Sequence, residues 1–93
     1  MSFSKESAIT RAKTDLAERL GVEGSSIKVV SAEDKDFPNG SLGAPVDDEM
    51  SAQMISSGWR IILDGNGKNY EYRADKYQLR LVNFKGANVI VTS

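Results

Sequence analysis

The chain predicts an α+β fold in which an N-terminal helix packs on a curled antiparallel β-sheet, and three observations carry that expectation. An apolar stripe at helical period runs through the first twenty residues; three runs between Trp59 and Val82 alternate apolar with polar residues; and short turn sequences separate those runs. The helix has one apolar stripe and the meander one apolar face, and burying each against the other is the simplest arrangement.

The stripe is Ile9, Ala12, Leu16, Ala17 and Leu20, with Arg11, Lys13, Asp15, Glu18 and Arg19 mostly off it, so a helix is expected from about Ser4 to Leu20. Ser4 suits the N-cap, and Glu6 suits the positive end of the helix dipole. Gly21 supplies a left-handed stop, after which Val22 folds back onto Ala17.

Ile27–Glu33 is β-branched and reads as a strand, with Ile27 and Val29 facing one way and Val30 and Ala32 the other. Asp34 to Asp48 hold both prolines and no sustained period, and read as a long loop. Loops this long inside small domains are uncommon and are more often functional than not. Met50 to Ser57 fit either a short strand or a turn.

In the meander, Trp59, Ile61 and Leu63 alternate with Arg60, Ile62 and Asp64. Two-residue turns at Asn66-Gly67 and Asp75-Lys76 would oppose Trp59–Ala74–Tyr77, Ile61–Tyr72–Leu79 and Leu63–Tyr70–Leu81. The expected core is then Ile9, Leu16, Leu20, Trp59, Ile61, Leu63, Tyr72, Leu79 and Leu81. Val89–Thr92 would add an edge strand.

Ninety-three residues are expected to make one domain, because a chain of this size has no material for a second core. Apolar residues at 40% and charged ones at 27% argue against disorder and coiled coil. The runs Ile61-Ile62-Leu63 and Val89-Ile90-Val91 are far short of the roughly 20 apolar residues of a membrane span. The amino terminus has no apolar signal region, so a cytoplasmic location is the default expectation.

Cysteine and histidine are both absent. Disulfides, thiolate nucleophiles, and serine–histidine and cysteine–histidine catalysis are thereby excluded, and no cofactor or metal is expected. An enzyme working with carboxylates alone is the least favoured reading. Net charge of −1 argues against broad affinity for nucleic acid or an anionic membrane.

The segments Phe37-Pro38-Asn39-Gly40-Ser41-Leu42-Gly43-Ala44-Pro45, Gly58-Trp59-Arg60-Ile61-Ile62-Leu63 and Tyr70-Glu71-Tyr72 stand behind a helix ending Leu-Gly-Val and a strand reading Ile27-Lys28-Val29-Val30-Ser31. Over residues 8–82 they resemble a group of small uncharacterised bacterial domains, which have an Asn/Asp-Gly-Ser-Leu-Gly-x-Pro loop followed by a Tyr-Glu-Tyr meander. Those domains tend to have Trp at the position of Phe37, Cys at Ala44 and His at Arg73. Those departures remove a disulfide partner and a titratable side chain, which fits a reduced cytoplasmic setting. The helix-then-meander order is also similar to PepSY-type and cystatin-like domains, some of which inhibit peptidases or occur in propeptides; this is an analogy of fold.

Several constellations have ordinary explanations. Asp36, Asp47, Asp48 and Glu49 lack the spacing of a calcium loop. Gly65-Asn66-Gly67 and Gly40-Ser41-Leu42-Gly43 lack the context of a phosphate motif. Trp59, Tyr70, Tyr72 and Tyr77 share the face the helix must cover, so they read as core and not as a stacking platform.

Two functional readings follow. In the first, the chain is a non-enzymatic protein-interaction module, inhibitor- or regulator-like, presenting the 36–48 loop to a protein or peptide through Phe37, Pro38, Ser41, Leu42 and Pro45. In the second, Arg60, Arg73 and Arg80 form a patch for nucleic acid or another anionic ligand on the exposed sheet face. The expected register sets Arg60 opposite Arg73 and Glu71 opposite Arg80; opposed arginines are unfavourable unless a carboxylate or a ligand relieves them.

Overall fold

The structure, a computed structural model, describes residues 2–92. Helix α1 (Lys5–Leu20) is followed by strands β1 (Lys28–Phe37), β2 (Ser56–Gly65), β3 (Lys68–Ala74), β4 (Leu79–Phe84) and β5 (Ala87–Thr92). The strands lie side by side in chain order, each antiparallel to its neighbour, in an open sheet. No helix among the described residues is long and apolar enough to cross a membrane.

Ser4 caps α1, and the box closes through Ser7: the Ser4 Oγ accepts from the Ser7 N–H at 3.2 Å, and the Ser7 Oγ accepts from the Ser4 N–H at 2.9 Å. Gly21 ends the helix at φ 68°, and the Val22 N–H returns to the Ala17 carbonyl at 3.0 Å. Ala8, Ala12, Leu16 and Ala17 pack on Ile27, Ile61, Leu63, Tyr72, Ala74, Leu79 and Leu81 in one buried cluster, with Ile9, Leu20 and Trp59 half-buried at its rim. Gly65 permits the close approach of the helix end, since a Cβ there would lie 2.6 Å from Leu20 Cδ1. Asp15 is buried although it lies off the stripe. Its Oδ2 accepts hydrogen bonds from the Tyr72 hydroxyl and the Arg19 Nε, each at 2.7 Å.

The structure corrects three expectations. First, β1 is longer than Ile27–Glu33 and continues to Phe37. A bulge opens between Val29 and Ser31, where two β1 steps match one β2 step from Leu63 to Ile62. That extra residue, Val30, brings Ala32 opposite Ile61 on the core side, the side that also buries Ile27.

Second, the β2–β3 turn at Asn66-Gly67 is as expected, with φ of 53° and 78°, but the β3–β4 connection has four residues. The Asp75 Oδ1 accepts from the Tyr77 N–H at 2.8 Å and the Gln78 N–H at 3.0 Å, and this side-chain cap builds the wider turn. Register therefore moves by two residues, Tyr72 facing Leu81 and Ala74 facing Leu79, which keeps the β4 side chains from Leu79 to Val82 on their expected faces. Third, Tyr77 leaves the core row and is 73% exposed in the turn. Of Met50–Ser57, which fit either a strand or a turn, Met50–Ile55 are irregular and β2 begins at Ser56. The expected C-terminal edge strand is present as β5.

Candidate functional site

On the sheet face away from α1, Arg60 lies opposite Arg73 and Arg73 opposite Arg80, so three cations cross β2, β3 and β4 in one row. Glu71 faces Val82 and not Arg80, a consequence of the wider β3–β4 turn. It instead serves the other two arginines: its Oε2 accepts from Arg73 Nε at 2.7 Å and from Arg60 Nε at 3.1 Å. Burial would raise the Glu71 pKa, but the hydrogen bonds from Arg73 and Arg60 outweigh it and hold the carboxyl below its ordinary range.

The segment between β1 and β2 supplies further partners. Arg73 Nη1 donates to the Leu42 carbonyl at 2.9 Å, and Arg80 Nη1 to the Ala44 carbonyl at 3.1 Å. Arg80 also pairs with Glu49 through both terminal guanidinium nitrogens, and its Nε donates to Gln78 Oε1 at 2.7 Å. The Gln78 amide in turn donates to the Gly40 carbonyl at 2.7 Å. Hydrogen bonding by Arg80, against some cost of burial, holds the Glu49 carboxyl at about 2.

Asn39 organises the front of the same segment. Its Oδ1 accepts from the Ser41 N–H at 3.1 Å, the Ser41 Oγ at 2.9 Å and the Gly43 N–H at 3.1 Å. Leu42 is held at φ 58°, a conformation a leucine adopts only where its surroundings enforce it, and it is fully buried. Gly43 has φ 67°, and a Cβ there would sit 2.8 Å from Arg73 Nη1. Arg73 lies over the Phe37 ring, 5.6 Å from its centre.

Phe37, Ser41, Leu42, Ala44 and Arg80 are thus buried, forming a second packed layer behind the sheet. The expectation that Phe37, Ser41 and Leu42 present themselves to a partner is not met, because they are spent on internal packing. An open patch of Arg60, Arg73 and Arg80 is not met either. Glu71, Glu49 and loop carbonyls occupy these guanidiniums, and only Arg60 keeps substantial exposure. Pro38 and Pro45 do lie at the surface.

What this layer leaves open is the chain leading back to the sheet. Met50, Met54 and Ile55 are 96%, 64% and 71% exposed. Met54 and Ile55 line one hollow of about 500 Å³ together with Tyr77 from the β3–β4 turn. In the sequence, Met50–Ser57 fit either a strand or a turn, and Tyr77 reads as core. The absence of an apolar period over Met50–Ile55 was the available signal that these side chains have no internal face to join. Among the described residues no group of three or more histidine, cysteine, aspartate or glutamate side chains gathers at a metal-binding spacing.

A family model described as a domain of unknown function, DUF8738, matches residues 9–82. No curated protein and no solved structure matches the chain.

Proposed function

The chain belongs to the DUF8738 family of domains of unknown function, and from that premise we propose that it is a non-enzymatic protein-interaction module. The observation that carries the reading is the exposed Met54, Ile55 and Tyr77 cluster at the β3–β4 end of the sheet. Isolated exposed apolar side chains are ordinary, whereas a concave group of them is a feature of interaction sites. Methionine and tyrosine are side chains that protein interfaces favour. The arginine-anchored loop supports the reading further, since a preformed surface loses little freedom on binding.

The likeness to PepSY-type and cystatin-like domains supports an inhibitor- or regulator-like role by analogy of fold. The lack of cysteine accords with a reduced cytoplasmic setting. The second reading of the sequence, an arginine patch for anions, loses its support with the arginines neutralised from within.

Immobilised wild-type chain and an Ile55→Ser/Tyr77→Ser variant, exposed to the same cell lysate, test the reading. A protein retained by the wild type and lost from the variant is the expected result. Equal retention by both, with the variant still folded, would move the site away from this cluster.

A further inference from the structure

At the opposite end of the sheet, the last turn of α1 and the β2–β3 and β4–β5 turns enclose an open groove of about 590 Å³. Its floor holds Tyr70 and Phe84, whose rings lie 6.1 Å apart. Three cations converge on those rings: Arg19 and Lys85 each lie 5.4 Å from the centre of Phe84, and Lys68 lies 5.5 Å from that of Tyr70. The ring faces offset part of the repulsion among them.

The charge balance is one-sided. Arg19 has Asp15 as a partner, but among the described residues Lys68 and Lys85 have no carboxylate within ion-pair distance. Glu71 lines the groove, yet its carboxylate is engaged by Arg60 and Arg73, and Asp47 lines the neighbouring hollow beyond the β4–β5 turn. The turn itself gives a second, independent sign. The β2–β3 turn uses Asn66-Gly67, the favoured pair for two left-handed residues, whereas the β4–β5 turn places Lys85 at φ 53° before Gly86. Lysine bears a steric strain there that asparagine or glycine largely avoids, and the strained residue is the one that brings an ammonium to the groove.

We propose that this groove binds a small phosphate-bearing molecule of nucleotide size. Two lysine ammoniums act as point charges for phosphate oxygens, and the Asn69 and Asn83 side chains stand at the same mouth to supply directional hydrogen bonds. The volume lies within the range of small-molecule sites. A polymer fits less well, because the cations gather at one end of a chain of net charge −1 and trace no path across it. The cations also occupy ring faces on which bases would otherwise stack.

Amide chemical shifts of the labelled protein, followed at low ionic strength, supply the test with inorganic pyrophosphate and adenosine 5′-diphosphate as probes. Saturable shifts confined to residues 19–20, 67–71 and 82–87 are expected from both. The Lys68→Glu/Lys85→Glu variant, changed only at exposed positions, should lose about tenfold or more in affinity. Lys35→Glu, far from the groove, should lose none. No saturable shift, or equal weakening by Lys35→Glu, would overturn the proposal. So would a single-stranded oligonucleotide binding about tenfold more tightly than the diphosphate, because the ligand would then be a polymer.

Discussion

Arg80 and Glu49, 31 residues apart in sequence, meet as a two-pronged ion pair, with Nη1 to Oε1 and Nη2 to Oε2 both at 2.5 Å. Arg80 is 3% exposed, so this partner, the Ala44 carbonyl and the Gln78 side chain stand in for water around its guanidinium. The pair ties the segment between β1 and β2 to β4, on the far side of the sheet from β1.

Acid should loosen that tie. Glu49 is lowered from an ordinary 4.5 to about 2 in the folded chain, so its contribution to stability is complete above 4.5 and lost as the pH falls toward 2. Glu49→Gln should be less stable than the wild type at neutral pH, with the difference shrinking across that window. Urea midpoints at neutral and acid pH measure it; a constant difference would show that another group carries the acid sensitivity.

Leu16 is fully buried where α1 meets β2, and Leu16→Ala should cost about 2–5 kcal/mol. Chemical denaturation gives the number. A loss under about half a kcal/mol, within the range of a surface substitution, would contradict the packing of the helix on the sheet.

Tyr72→Phe removes the hydroxyl that donates to Asp15 and should cost about 1–3 kcal/mol, leaving Asp15 with Arg19 alone. Desolvation and the hydrogen bond to Asp15 both push the Tyr72 phenol well above its usual range. Its ionisation, read by ultraviolet absorbance, should accompany alkaline unfolding and not precede it.

Excising Asn39 to Ala44 and joining the ends with two glycines should lower the unfolding midpoint, because it removes buried Ser41, Leu42 and Ala44, uncovers Phe37 and strips carbonyl partners from Arg73 and Arg80. An unchanged midpoint would mean that the segment merely rests on the sheet. Asn39→Ala tests the same layer more gently, since it deprives three donors of one acceptor.

The helix, its caps, the β2–β3 hairpin and the face of each meander residue but Tyr77 are legible in the periodicity, because all of these depend on neighbours a few positions away. Periodicity missed the four-residue β3–β4 turn, where the Asp75 side chain outweighs the two-residue pattern. It missed the Val30 bulge as well, although Ile27 and Ala32, both apolar and five apart, were a sign that strict alternation fails between them. The fate of the loop was out of reach for a different reason. A leucine at φ 58° and a carboxylate pairing with an arginine 31 residues away leave no local trace, and Phe37 and Leu42 look the same in sequence whether they serve a partner or the sheet behind them.

The helix covers one face of the sheet through side chains of an unbroken apolar cluster, and the loop covers the other largely through polar ties to Arg73 and Arg80. Those two coverings should exchange their amide hydrogens on different schedules. Around Leu42 and Ala44, protection is lost whenever the loop lifts and its carbonyls are rehydrated, an event that leaves α1 in place. Around Leu63 and Tyr72, it is lost only when the whole chain unfolds. One small sheet therefore has a detachable back and a permanent front.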